Sequence, residues 1–114
     1  MKEIKDLVKE FSQRAIEHHK YSLEGNYKRG NTEIKKINIV YNSIKEQGNI
    51  KELLQLIYSD LPEVACLAAT YCMKFNPEKC LAVLDRLSKE DTSLIGFSAE
   101  CTIKNWKNGE WYID

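Results

Sequence analysis

The residues whose types could do chemistry are two adjacent histidines, four cysteines and a glycine-flanked basic stretch. His18 and His19 would be metal ligands or general bases. Two ligands on one helix need i, i+3 or i, i+4 spacing, whereas neighbours diverge by about 100°. Glu17 and Glu24 would join them only after a rearrangement of the chain, so the pair reads as partly buried histidines near a helix end. A nucleophile needs a base within reach, and no G-x-S-x-G turn offers one. Cys80 follows Asn76-Pro77-Glu78, in the first turn of an expected helix, where the helix dipole favours a thiolate. Its inward register makes it a packing residue, with a reactive thiol as the competing reading. Cys66, Cys72 and Cys101 fall in apolar helical patterns without C-x-x-C spacing, and Cys66 and Cys72 stand on opposite sides of one helix. Reduced thiols there behave as small hydrophobes. The carboxylates of Glu90-Asp91 and Glu110-Asp114 read as turn and tail charges, with no apolar pocket to raise a pKa. Gly25 to Asn31, GNYKRGN, suggests phosphate, but lacks G-x-x-x-x-G-K-[ST] and follows no strand. A plain helix connection is the reading, and no catalytic, cofactor or metal residue is assigned.

The elements that would position these residues are helices. With 114 residues, 43% hydrophobic and 30% charged, the chain suits one folded domain. Five glycines and two prolines favour long regular elements. Seventeen basic and seventeen acidic residues cancel, leaving no global field for nucleic acid or an anionic membrane. The basic excess lies before Lys51 and the acidic excess after Lys89. The opening MKEIKDLVKE is charged and amphipathic, unlike a secretory signal, so a cytoplasmic address is expected.

The most apolar stretch, Leu61 to Phe75 (LPEVACLAATYCMKF), has Glu63, Thr70 and Lys74 as its only clearly polar residues, all on one narrow stripe. It predicts a buried central helix, too short to span a bilayer. Around it the spacing predicts a helix over 3–23 with Ile4, Leu7, Val8, Phe11 and Ala15 inward. A loop is expected over Leu23 to Asn31, then a helix capped by Asn31 or Thr32 with Ile34, Ile37, Tyr41 and Ile44 inward. A short helix over Ile50 to Tyr58 follows. Asn76-Pro77 starts a helix to about Ser88 with Cys80, Val83, Leu84 and Leu87 inward. The last helix, from about Ser93 to Lys107, buries Ile95, Ala99, Ile103 and Trp106 and carries a second apolar strip, Leu94, Phe97 and Cys101.

A shift of 31 residues aligns Ile50, Leu53, Leu56, Asp60, Val64, Ala68 and Cys72 with Leu81, Leu84, Leu87, Asp91, Ile95, Ala99 and Ile103. Six pairs are apolar and the seventh is an aspartate in the turn, the pattern of a helical-hairpin repeat. Leu61 to Ala69 resembles the D-x-x-x-V-R-x-x-A-A stretch of HEAT-like repeats, with Ala65 where arginine is usual. More broadly, GNYKRGN (Gly25 to Asn31), Val64 to Ala69, Asn76 to Leu84 and Trp106 to Gly109 are similar to a family of small bacterial helical proteins of unknown function. Some members of that family look like toxin-immunity proteins. The resemblance implies an all-α fold, a short HEAT-like right-handed solenoid of about six helices in three antiparallel hairpins. The opening pair would cover about 3–48, the repeat pairs about 50–75 and 77–107, and a tail 109–114, all in one domain spanning 1–114.

The expected function is then a non-enzymatic protein-interaction module, concretely an immunity or inhibitor protein that binds a toxin, acting as monomer or homodimer without membrane or cofactor. Leu94, Phe97, Trp111 and Tyr112 are the candidate partner-binding residues, since aromatic anchors are enriched at interfaces. The competing reading of these four is a tail that folds back to cap the strip. The alternative function is nucleic-acid binding, as in HEAT-like DNA alkylation-repair glycosylases, through Lys28, Arg29, Lys35, Lys36, Lys45 and Lys51.

Overall fold

A computed structural model describes residues 3–113, and these are all-α. Six α-helices follow in order: α1 (Ile4–Leu23), α2 (Tyr27–Glu46), α3 (Ile50–Leu54), α4 (Pro62–Tyr71), α5 (Pro77–Glu90) and α6 (Leu94–Lys107). A 3-10 turn (Gln55–Tyr58) extends α3. By contact density the chain divides into two compact units, Met1–Gln55 and Leu56–Asp114.

In the first unit α1 and α2 pair as a hairpin, with α3 against both. Leu7, Phe11 and Ala15 form the buried stripe of α1, and Ile37, Val40, Tyr41 and Ile44 that of α2. The sequence reading misplaced the start of α2. Asn26, not Asn31 or Thr32, caps it: the Asn26 side-chain oxygen accepts a hydrogen bond from the Arg29 N–H at 3.3 Å. The expected loop therefore shrinks to the turn at Gly25, whose φ of +73° suits the residue just past a helix end. Gly30, expected in that loop, lies inside α2 and is buried, facing His18 and Tyr21 of α1. Glu33 takes the inward position expected for Ile34 and is 6% exposed.

In the second unit α4 packs on α5 and α6, and α5 pairs with α6 as a hairpin. Val64, Ala65, Ala68 and Ala69 are each 0–1% exposed, as the apolar pattern of this stretch predicts. Pro62 opens α4, where its missing N–H costs no helical hydrogen bond. The helix stops earlier than expected, at Tyr71. Residues 72–75 form a turn in which the N–H groups of Phe75 and Asn76 both donate to the Cys72 carbonyl. Thr70, on the narrow polar stripe of this stretch, is buried, and its hydroxyl donates to the Cys66 carbonyl at 2.8 Å. Asn76 caps α5 by accepting from the Lys79 N–H at 3.1 Å, and Cys80, Val83, Leu84 and Leu87 are buried as expected.

The α5–α6 corner is tight. Asp91 accepts from the Ser93 N–H and hydroxyl, and the Ser93 hydroxyl caps α6 through the Ile95 N–H. Gly96 then lies so near the end of α5 that a Cβ there would stand 1.8 Å from the Asp91 carbonyl oxygen. On α6, Ile95, Gly96, Ala99 and Thr102 are buried, while Ile103 and Trp106, expected inside, are half-buried.

Candidate aromatic surface and the polar hairpin

The four residues singled out as partner-binding lie on α6 and the tail behind it. Leu94 and Phe97, one turn apart, share an α6 face opposite the buried one, and are 40% and 65% exposed. Cys101, one turn further, is half-buried. After Gly109 (φ +74°) the chain reverses, with the Glu110 N–H donating to the Asn105 carbonyl. Trp111 then meets Trp106 edge-on at 5.3 Å, and Tyr112 lies at 5.2 Å from Trp111 in a tilted arrangement. Tyr112 keeps 65% of its surface in solvent. The tail thus packs on Trp106 and leaves Leu94 and Phe97 uncovered, and among the described residues no ring contact joins Phe97 to the Trp111–Tyr112 pair. The structure therefore offers two features of α6, an aliphatic–aromatic strip at its first turns and an aromatic stack at its end.

The thiols are core groups. Burial pushes Cys66 and Cys72 up to about 12 and Cys80 up to about 11, with the Asp91 carboxylate adding to the shift at Cys66 and Cys80 adding to it at Cys72. The inward register of Cys80 outweighs its place at a helix N-terminus, because desolvation of a thiolate is the larger effect there. All four cysteines are free, and only Cys101 has appreciable exposure.

The histidines stand on α1, where His18 faces Gly30 of α2. Burial lowers the His18 pKa, the neighbouring His19 lowers it further, and Glu33 opposes both. Around them the α1–α2 hairpin carries a polar network that sequence reasoning missed. Arg14 Nη1 is 3.4 Å from Glu33 Oε2, and Lys36 Nζ is 3.7 Å from Glu33 Oε1. Arg14 Nε lies 4.0 Å from Glu10 and, although buried, makes no hydrogen bond. A usable signal existed: Glu33 stands three residues after Gly30 and four before Ile37, on the buried stripe of α2. Beside this network lies a depression of about 220 Å³ lined by Tyr21, Arg29, Thr32, Glu33 and Lys36. Among the described residues no group of three or more potential ligands could hold a metal ion.

The six basic residues proposed for nucleic acid do not present one strip. Arg29 lies over the Tyr21 ring at 5.8 Å, Lys45 over the Tyr41 ring at 5.4 Å, and Lys36 is paired with Glu33. Lys45 stands on a different side of α2 from Lys28 and Lys35.

Fold and surface together define a class, an all-α protein with helical-hairpin pairings, on which Phe97 and Tyr112 are exposed. No family model, curated protein or solved structure matches the chain. No helix among the described residues is long and apolar enough to cross a membrane.

Proposed function

We propose that the chain is a non-enzymatic protein-interaction module that docks a partner protein on α6 and the aromatic tail. The observation that carries this reading is the side-by-side exposure of Leu94 and Phe97 on one α6 face. Leaving two large apolar side chains in water forgoes about 1.5–3 kcal/mol for each one that could be fully buried. A partner covering them recovers that energy. Trp111 and Tyr112 adjoin the same helix and supply rigid aromatic area, which loses little conformational freedom on binding. In this reading the helical hairpins belong to a short HEAT-like array of three. The α1–α2 and α5–α6 pairings and the buried alanines of α4 support it. The most concrete form of such a module is an immunity or inhibitor protein acting on a toxin in the cytoplasm, where its four free thiols would stay reduced.

The test is purification of the tagged chain from its own host, as wild type and as Phe97→Asp, with Ile39→Asp as control. Ile39 is an equally exposed apolar residue on α2. One protein should accompany the wild type and Ile39→Asp in stoichiometric amount and be lost with Phe97→Asp. Recovery of the chain alone, or a partner retained by Phe97→Asp, would defeat the proposal.

A further inference from the structure

We propose that the notch on the α1–α2 hairpin binds an oxyanion, a carboxylate or a phosphate, between Arg29 and Lys36. Three observations carry this. The first is the placement of Glu33. Its side chain is only 8% exposed, and each carboxylate oxygen faces a cation, Oε2 towards Arg14 and Oε1 towards Lys36. The one acidic group of the notch is thereby neutralised, and it acts as a positioning residue that tethers Lys36 at the rim. A carboxylate held so deep is costly unless paired, and a hydrophobe at this stripe position would pack without that cost.

The second observation is Arg29. Its guanidinium lies over the Tyr21 ring at 5.8 Å, and no carboxylate pairs with it among the described residues. A cation–π approach to the ring keeps the guanidinium on this side of the hairpin and uses none of its N–H donors, which are left for an oxyanion. The Thr32 hydroxyl is occupied as a donor to the Lys28 carbonyl at 3.1 Å, so it frames the notch and offers at most an acceptor. The donors to a ligand are thus Arg29 and Lys36.

The third observation is size and field. A depression of about 220 Å³ is smaller than the pockets of roughly 300–1,000 Å³ that hold whole small molecules. It suits a single charged group. Residues up to Gln55 carry eleven basic and eight acidic side chains, so the surrounding field favours an anion. The group would come either from a free ion or from an acidic side chain of a bound peptide. The site is built from α1 and α2 alone, and its test does not depend on the partner proposed above.

The experiment is an NMR titration of the full chain, following the Arg29 side-chain N–H and the Tyr21 ring. The probes are inorganic phosphate and an end-blocked triglutamate peptide, with end-blocked triglutamine as control. Either acidic probe should shift both reporters saturably, more weakly at high salt. Arg29→Gln should weaken binding about tenfold, the loss of one charge-assisted hydrogen-bonded contact. Lys51→Gln removes the same charge from α3 and should change it less than twofold. Phosphate alone saturating assigns the site to a small anion, and triglutamate alone assigns it to an acidic segment. No saturable shift with either probe would overturn the proposal. So would equal weakening by Arg29→Gln and Lys51→Gln, since only the general field would then be acting.

Discussion

Gly96→Ala and Gly30→Ala make the same chemical change at two buried helical positions, and the structure gives them opposite signs. In a helix interior, alanine in place of glycine gains about 1 kcal/mol of propensity. At Gly96 the new methyl carbon would stand 1.8 Å from the Asp91 carbonyl oxygen and 2.9 Å from its carbon. The first is about half of an ordinary contact of roughly 3.5 Å. The obstacle is backbone at the α5–α6 corner, pinned by the Asp91–Ser93 hydrogen bonds, so no side-chain rotation relieves it. Overpacking of this kind costs about 1–3 kcal/mol, and more when main chain must move. A net loss of about 2 kcal/mol follows, or roughly 8 °C in Tm for a chain of this size. At Gly30 the nearest atoms would be His18 Cδ2 at 3.8 Å and Tyr21 Cβ at 3.9 Å, ordinary van der Waals neighbours. Propensity then decides, and Gly30→Ala should be neutral or more stable by up to about 1 kcal/mol. Urea titration followed by circular dichroism measures both. A Gly96→Ala protein as stable as wild type, or a Gly30→Ala protein losing more than about 1 kcal/mol, would refute the packing argument.

Three further outcomes follow from the same structure. Alkylation of the folded protein at pH 8 should label Cys101 first, because burial leaves about one Cys80 in a thousand as thiolate; Cys80 reacting fastest in mass spectrometry would contradict it. Burial, with His19 beside it, lowers the His18 pKa below its ordinary value of 6.5, so the fold favours the neutral form. Its contribution is therefore complete above pH 6.5 and lost as pH falls through 6.5 towards the lowered value. The urea midpoint should drop more between pH 7.5 and 5 for wild type than for His18→Gln, and equal drops would show that His18 is not responsible. Asn76→Ala should cost about 1 kcal/mol by removing the cap on α5, whereas Asn49→Ala, where the side chain makes no cap bond, should cost under about 0.5 kcal/mol.

Periodicity alone identified the helices whose neighbours are local. The inner face of α5 was legible because Asn76-Pro77 marks its start and Cys80, Val83, Leu84 and Leu87 repeat at helical spacing. The alanine-rich face of α4 was legible for the same reason. What stayed hidden depended on partners distant in sequence. Gly30 reads as a loop residue until α1 is seen to lie against it, and then a glycine inside a helix has a packing reason. Glu33 reads as a solvated charge until Arg14, nineteen residues earlier, is found beside it. Gly96 carries no sequence signal, because the closeness of the Asp91 carbonyl is set by the turn between α5 and α6. The candidate surface was half legible. The α6 strip followed from spacing, but the path of the tail, onto Trp106 and clear of Leu94 and Phe97, is a property of the fold.

The claim that α6 is a docking face is tested most directly by site-specific photocrosslinking in the native host, with a photoreactive side chain at position 97 and, separately, at position 39. The account predicts one discrete heteromeric product from position 97 and none from position 39. Products of equal yield from both positions, or none from either, would contradict it.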